Sequence, residues 1–199
     1  MPRRPVFSII AGPNGAGKSR LGDFYVHTHA FDGDLLAMQL RQEHPEWPER
    51  WVSGTVASTL EKCVNEALDQ KRNFSFETNY SNELAVNLLH RFKEAGYKIC
   101  LYYFGLTSVE ESINRVVQRS LSGGHNVTDE IIVYNFNEGI SRINATLHLF
   151  DNISFVDGTT DYGEIIALYI KGSGIHEVAD TVPAWFDRYF ADNFAELSN

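Results

Sequence analysis

The chain has 199 residues, of which 43% are hydrophobic and 22% charged, as is usual for one globular domain or one domain with a small addition. Its 17 basic residues face 26 acidic ones, which gives a formal charge of −9. This balance argues against a partner such as long nucleic acid, whose binders present a basic face. We find no transmembrane stretch and no signal-peptide pattern, so we expect no membrane contact and a cytoplasmic location.

The first motif is a phosphate-binding loop at Gly12–Ser19, GPNGAGKS, which matches G-x-x-x-x-G-K-[ST] at every fixed position. An apolar run, Pro5–Ala11, predicts a buried strand before it, and a helical pattern over Ser19–His29 follows. Strand, glycine loop and helix N-terminus together form an anion site, so we predict that ATP binds here. Lys18 would reach the β- and γ-phosphates, and Ser19 would hold a magnesium ion. The loop residues expected to contact the nucleotide are Gly12, Pro13, Asn14, Gly15, Ala16, Gly17, Lys18 and Ser19.

Helical and strand patterns alternate through the next part of the chain. Helices are predicted over Leu35–Glu43, Trp51–Arg72, Asn82–Ala95, Ser108–Leu121 and Thr128–Phe150, and strands over Phe74–Thr78, Tyr97–Leu106 and Ile153–Val156. This alternation predicts an α/β fold of three layers around a central parallel sheet.

The pattern changes at Asp161. Ile165–Lys171 and Ile175–Val178 predict a β-hairpin, and Pro183–Phe194 predicts a short aromatic helix. We therefore predict a main domain over residues 1–160 and a small hairpin-and-helix appendage packed on it over residues 161–199. The helix aromatics would either complete the core or form a partner surface, and their helical spacing favours the core.

Several polar residues come where predicted strands end, and such ends meet at one edge of a parallel sheet. A carboxylate at Asp34 would accept the proton of an acceptor hydroxyl, and Asp32 competes for that role; either could instead be a helix N-cap. Glu77 is placed to hold substrate or a magnesium-bound water, with a surface salt bridge as the alternative. Thr78 and Asn79 add a hydroxyl and an amide for substrate binding at the same edge.

Arg115 and Arg119 are four residues apart and share one helix face. With no acidic residue between them, they are suited to a phosphate, although a solvated helix end is the alternative. His125 follows Gly123–Gly124 and is predicted to belong to a lid over the site.

Together these motifs resemble the zeta-toxin family of phosphate-loop kinases. The specific part is the lid stretch over residues 115–127, RVVQRSLSGGHNV, and GPNGAGKS, Asp34-Leu35-Leu36-Ala37 and FSFET fit as well. The resemblance runs from about Val6 to Asp157 and implies a P-loop kinase fold. The best understood members use ATP and magnesium to phosphorylate a hydroxyl of UDP-N-acetylglucosamine, and some pair with an antitoxin that occludes the ATP site.

By position, the resemblance implies that Lys18 and Ser19 hold nucleotide and magnesium and that Asp34 is the base. It implies a substrate-side acid at Glu77 and a phosphate-facing basic set at Arg115, Arg119 and His125. Relatives often carry arginines in the helix after the lid, where this chain has Val133-Tyr134-Asn135. One family arginine is therefore missing near Asn135, which would shift charge stabilisation to the remaining basic set.

The sequence thus predicts an ATP-dependent kinase that acts on a hydroxyl of a nucleotide-sugar-like small molecule, and the resemblance adds an antitoxin protein as a partner to be tested. Two alternatives stay open. One is a nucleoside or polynucleotide kinase on the same scaffold. The other is a degenerate protein that binds ATP and acts as a regulator or interaction partner.

Overall fold

The computed structural model describes residues 4–121, 127–177 and 179–198. The strands are β1 (Val6–Ala11), β2 (Phe31–Asp32), β3 (Phe74–Thr78), β4 (Lys98–Gly105), β5 (Asn152–Asp157), β6 (Glu164–Ile170) and β7 (Gly174–Glu177). The α-helices are α1 (Lys18–Leu21), α2 (Gly33–Glu43), α3 (Glu49–Asp69), α4 (Glu83–Glu94), α5 (Val109–Leu121), α6 (Asp129–Thr146), α7 (Ala184–Tyr189) and α8 (Ala191–Ala195). Short 3-10 turns cover Gly22–Phe24, Leu147–Leu149 and Glu196–Ser198.

All seven strands belong to one sheet, in the order β2-β3-β1-β4-β5-β6-β7. The first five in that order are parallel, whereas β6 and β7 are antiparallel additions at the β5 edge. The predicted α/β fold with a parallel centre is confirmed, and so is the C-terminal hairpin. The hairpin extends the main sheet, because β6 pairs along the whole of β5. The division at residue 160 into two units stays a prediction.

The central strands are apolar because helices cover both faces of the sheet. Every residue of β1 from Phe7 to Ala11 is buried, and β4 is buried at all but two positions. The aromatic side chains of α7 and α8 pack around Phe155 of β5, which confirms that they belong to the core. The buried aromatic residues of this segment are Trp185, Phe186, Phe190 and Phe194.

Three predicted helices differ from the structure. The helix expected over Ser19–His29 is wrong, because α1 ends at Leu21 and the chain turns back toward β2 with the Asp23 carboxylate accepting the N–H of Ala30 at 3.1 Å. Helix α6 stops at Thr146, whose hydroxyl donates to the helix's own carbonyl at Arg142 (2.7 Å). The predicted C-terminal aromatic helix is two short helices divided at Phe190, which leaves helical geometry with φ −134°.

Within the described ranges, no helix combines the length and the apolarity that crossing a bilayer requires.

Candidate active site

The glycine loop leaves β1 and is pressed against its neighbours. Gly12 has φ +147°, and a Cβ there would lie 2.3 Å from the carbonyl oxygen of Phe104 on β4, so no other residue fits without moving the sheet. On the other side, the hydroxyl of Ser112 on α5 donates to the carbonyl of Asn14 at 2.6 Å. The loop is therefore held between the sheet and α5 before any ligand arrives.

Lys18 lies inside this loop, with only 8% of its surface exposed. Its ammonium donates to the carbonyls of Gly12 (2.8 Å) and Pro13 (2.9 Å) and to the Asn79 side-chain oxygen (3.0 Å). Burial lowers the pKa of Lys18, and the carboxylates of Glu77 and the two nearby aspartates oppose that effect. The ammonium thus links the phosphate loop to the end of β3, where a phosphate would compete for the same donors.

Ser19, the predicted magnesium ligand, lies beside two carboxylates. Its hydroxyl donates to Glu77 at 2.7 Å and lies 3.3 Å from Asp32. Burial raises the pKa of Glu77, the neighbouring aspartates raise it further, and Lys18 and the Ser19 hydroxyl oppose them.

These oxygens fit magnesium, which prefers hard oxygen ligands and keeps several waters. The described residues contain no group of three or more His, Cys, Asp and Glu side chains able to hold a metal ion. One hydroxyl with one or two carboxylates is the partial set that magnesium uses when phosphate oxygens complete its shell. The oxygen atoms present therefore suit a magnesium ion that binds together with a polyphosphate.

The two aspartates at the start of α2 have different surroundings. Asp32 accepts hydrogen bonds from the backbone N–H groups of Asp34 (2.9 Å) and Leu35 (3.0 Å). Asp32 is therefore the N-cap of α2, the alternative role that the sequence left open for either aspartate. Its second oxygen is the one near Ser19. Asp34 follows in the first turn of α2 and lines both cavities described next.

Two cavities adjoin this group. One, about 910 Å³, lies between the phosphate loop and α5; because it adjoins the predicted ATP loop, we call it the donor cavity. The other, about 490 Å³, lies between the end of β3 and helices α2 and α3, and we call it the acceptor cavity. Five polar side chains line both cavities: Lys18, Asp32, Asp34, Glu77 and Asn79. The predicted carboxylates and the lysine thus meet at one place, between two spaces large enough for two reactants.

Of the predicted substrate residues, Thr78 ends β3 and Asn79 begins the connection to α4. The Thr78 hydroxyl accepts the N–H of Tyr80 (2.9 Å), which stabilises Tyr80 at φ +59°, and the Tyr80 hydroxyl lies 3.1 Å from that of Thr146 on α6. Thr78 therefore shapes the turn and also lines the acceptor cavity. The turn aims the Asn79 side chain at Lys18.

Arg115 differs from its sequence interpretation. An acidic partner exists one helical turn earlier, because its guanidinium pairs with Glu111 at 2.8 Å. The same group donates to the carbonyls of Gly158 (2.6 Å) and Thr159 (3.0 Å) in the connection after β5. Arg115 therefore joins α5 to the β5–β6 connection while it lines the donor cavity.

Arg119 lines the donor cavity one turn further along α5, and its charge contributes to lowering the pKa of Lys18. The predicted lid residue His125, with Gly123 and Gly124, lies outside the described residues.

Sequence reasoning missed the role of Asn135, which it treated as the place of an absent arginine. Its amide nitrogen donates to the side-chain oxygen of Asn14 (2.9 Å), and its amide oxygen accepts the Ser81 hydroxyl (2.6 Å). Departure from the family pattern was the only signal that pointed at this position.

Arg41 and Glu49 were also missed. They form a bidentate pair at the acceptor cavity, with nitrogen–oxygen distances of 2.7 and 3.1 Å. The two residues are eight positions apart, in a stretch that two prolines interrupt, so no regular helix spacing predicts that they pair.

A family model shows the family of this chain, and solved structures are similar to it in fold. The family model for zeta toxin matches residues 1–169. An uncharacterized protein of Haemophilus influenzae is 30% identical over 138 residues, which is 68% of this chain and 94% of that protein.

Solved structures are similar in fold at lower identity. A chain from the PezAT chromosomal toxin–antitoxin system of Streptococcus pneumoniae has a TM-score of 0.59 at 18% identity, covering 78% of this chain and 68% of its own. A chain of the AvrRxo1-ORF1:ORF2 complex with ATP has a TM-score of 0.64 at 15% identity, covering 92% and 67%. A putative kinase from Chloroflexus aurantiacus has a TM-score of 0.51 at 15% identity, covering 65% and 74%. With the family model matching most of its length, the chain belongs to the zeta toxin family, on a P-loop kinase-like fold.

Proposed function

We propose that the protein transfers the γ-phosphate of ATP to a hydroxyl group of a small sugar-like molecule. The observation that carries this proposal is the set of five polar side chains shared by the two cavities. A lysine, three carboxylates and an amide lie where the terminal phosphate of one reactant would meet the hydroxyl of the other. Phosphoryl transfer depends mainly on such positioning and on charge compensation.

On the donor side, the loop N–H groups and Lys18 bind the triphosphate, replacing the loop carbonyls that Lys18 now contacts. Ser19 would hold magnesium, with Glu77 and Asp32 near it. When bound, magnesium supplies positive charge that compensates the triphosphate oxygens.

On the acceptor side, Asp34 takes the proton of the reacting hydroxyl. The acceptor oxygen forms a bond to the γ-phosphorus, the bond to the β–γ bridging oxygen breaks, and ADP leaves. Arg119 adds positive charge on the donor side, and Arg115, with its guanidinium already bound to carbonyls, contributes mainly by fixing α5 against the loop. His125 is proposed to close over the reactants as part of the lid.

The resemblance that the sequence carries makes UDP-N-acetylglucosamine the first nucleotide sugar to examine. Membership of the zeta toxin family, with a PezAT chain among the structural neighbours, also leads us to propose an antitoxin-like protein as a partner.

The proposal is tested by incubating the protein with labelled ATP, magnesium and a panel of sugars, sugar phosphates, nucleotide sugars, nucleosides and an oligonucleotide. We expect a phosphorylated small molecule, and Asp34→Asn should lower kcat by about 10²- to 10⁴-fold while ATP still binds. Asp69→Asn, at the exposed end of α3, is the matched control and should behave like the parent. Full activity in Asp34→Asn, or ATP binding without turnover on the whole panel, would contradict the proposal.

A further inference from the structure

Trp185 of α7 connects the C-terminal helices to the edge of the sheet that carries the site. Its indole N–H donates to the Asp157 carboxylate at the end of β5, at 3.3 Å, and both side chains are buried. The Trp185 ring also covers the end of β4, because a Cβ added at Gly105 would lie 2.3 Å from it. A buried indole needs a hydrogen-bond acceptor, and here the acceptor lies at the carboxyl end of a parallel strand, where ligands bind.

Asp157 in turn organises the backbone that follows β5. Its Oδ1 atom accepts the backbone N–H of Thr159 at 3.0 Å and the Thr159 hydroxyl at 2.7 Å. Gly158 donates its N–H to the carbonyl of Gly105 at 3.0 Å, and an added Cβ at Gly158 would lie 2.7 Å from the carbonyl oxygens of Ala16 and Gly105. This turn is therefore fixed between the Asp157 carboxylate, the end of β4 and the phosphate loop.

The turn supplies the carbonyls that hold Arg115. The guanidinium of Arg115 donates to Gly158 at 2.6 Å and to Thr159 at 3.0 Å, and Arg115 lines the donor cavity. A continuous series of hydrogen bonds thus runs from Trp185, through Asp157 and the turn, to Arg115 in the cavity wall.

The sheet order indicates which part of the donor this wall faces. The phosphate loop follows β1, and the carboxylates shared with the acceptor cavity lie at the ends of β2 and β3 on one side of it, whereas the turn follows β5 on the other side. With neighbouring strands about 4.8 Å apart, β5 lies roughly 10 Å from β1. A triphosphate in the loop that points its γ-phosphate toward β3 therefore extends its nucleoside toward β5.

We propose that Trp185 and Asp157 are positioning residues for the nucleoside part of ATP, because they fix the turn after β5 and, through its carbonyls, Arg115. The C-terminal helices then serve ATP binding in addition to completing the core. The inference rests on the ATP binding that belongs to the proposed function, and it requires neither phosphoryl transfer nor a particular acceptor. A wall that is ordered before the nucleoside arrives favours affinity, because less freedom is lost on binding.

The test compares the affinities of ATP and of inorganic tripolyphosphate, each with magnesium, by calorimetric titration. Tripolyphosphate probes the phosphate loop alone, and ATP adds the nucleoside, so the parent protein should bind ATP at least about tenfold more tightly. Trp185→Phe keeps an aromatic ring against Gly105 and removes the N–H. It should weaken ATP binding by about three- to tenfold through the lost hydrogen bond and leave the affinity for tripolyphosphate unchanged.

Asp157 supplies a second pair of variants. Asp157→Asn keeps a side-chain oxygen that can accept the same bonds and should retain most of the ATP affinity, whereas Asp157→Ala should weaken ATP binding at least as much as Trp185→Phe does. The matched control for lost core packing is Phe186→Leu, because Phe186 lies on the same helix, is buried against Phe155 and has no polar group. It should keep the parent's ratio of ATP affinity to tripolyphosphate affinity.

A double-mutant cycle links Trp185 to Arg115. If the indole acts through the guanidinium, Trp185→Phe combined with Arg115→Met should bind ATP little more weakly than Arg115→Met alone. Strictly additive losses of ATP affinity would overturn the inference.

Three results of the titrations would also overturn it: a parent protein that binds ATP no more tightly than tripolyphosphate, a Trp185→Phe ratio equal to that of Phe186→Leu, or equal weakening of both ligands. The kinase function is judged separately, by turnover on the acceptor panel. Turnover can be absent while the affinity ratio changes as expected, and it can be present while the ratio stays constant, so the two failures are distinguishable.

Discussion

The side chain of Asn135 on α6 is hydrogen-bonded to that of Asn14 in the phosphate loop, nitrogen to oxygen at 2.9 Å. Asn135 also accepts the Ser81 hydroxyl, and Asn135 and Ser81 line the acceptor cavity while Asn14 lines the donor cavity. One amide group therefore connects the walls of the two cavities. At the position where the family pattern suggested a missing arginine, this chain has a hydrogen-bonded bridge.

Asn135→Ala should weaken ATP binding by about five- to a hundredfold, because it leaves the amide of Asn14 and the hydroxyl of Ser81 without this partner, at a cost of about 1–3 kcal/mol. The measurement is a double-mutant cycle with Asn14→Ala, read by calorimetric titration of ATP. We expect the double variant to be little worse than the worse single variant, with a coupling of about 1 kcal/mol. Strictly additive effects would mean that the two amides act independently.

Ser19→Ala should raise the magnesium concentration needed for half-maximal activity, because the hydroxyl beside Glu77 and Asp32 is the proposed protein ligand. Magnesium titrations at saturating ATP measure this shift. Ser120→Ala is the matched control, since that exposed hydroxyl on α5 donates to its own helix at Val117. An unchanged magnesium requirement in Ser19→Ala would remove Ser19 from the metal site.

Glu77 should make the ligand-free protein less stable as the pH rises. Burial raises its pKa, so the folded state holds the proton more tightly than the unfolded chain does. The stability that this group contributes is present below its unfolded pKa, about 4.3, and is lost as the pH rises through the folded pKa. Glu77→Gln should therefore raise Tm relative to the parent at pH 7 and lose that advantage near pH 4.

Glu61 supplies a control of opposite sign for that experiment. Its hydrogen bonds from Arg91 lower the pKa of Glu61, so its contribution to stability is present above the unfolded pKa and lost in acid. Glu61→Gln should lower Tm slightly at pH 7, with the difference shrinking toward pH 4. Parallel pH profiles for the two variants would contradict the assignment of Glu77.

Gly105→Ala should destabilise the fold by about 1–3 kcal/mol, because overpacking forces a core to shift. An added Cβ at the end of β4 would lie 2.3 Å from the Trp185 ring. Gly54→Ala is the matched control: a Cβ at that α3 position meets nothing within 4 Å, so helix propensity should stabilise the protein by about 0.5–1 kcal/mol. Urea unfolding measures the free energy of unfolding of both variants. Equal values would show that the Trp185 ring moves aside at little cost.

The local sequence was sufficient to predict those parts of the site whose residues are close together along the chain. The phosphate loop, the buried strands β1 and β4 and the polar residues at strand ends follow from motif spacing and apolar periodicity, which depend on near neighbours. Parallel strand order then brings Glu77 and Asp32 beside Ser19, because the carboxyl ends of such strands share one edge.

Only the tertiary structure decided which partners those side chains choose. The first helix ends early because the chain returns to β2, and Arg115 donates to backbone carbonyls of the β5–β6 connection. Asn135 is hydrogen-bonded to Asn14, and Glu49 pairs with Arg41 at the acceptor cavity. These contacts join residues 8 to 121 positions apart, and their hydrogen-bond geometry depends on how helices and loops pack, which periodicity along the chain does not encode.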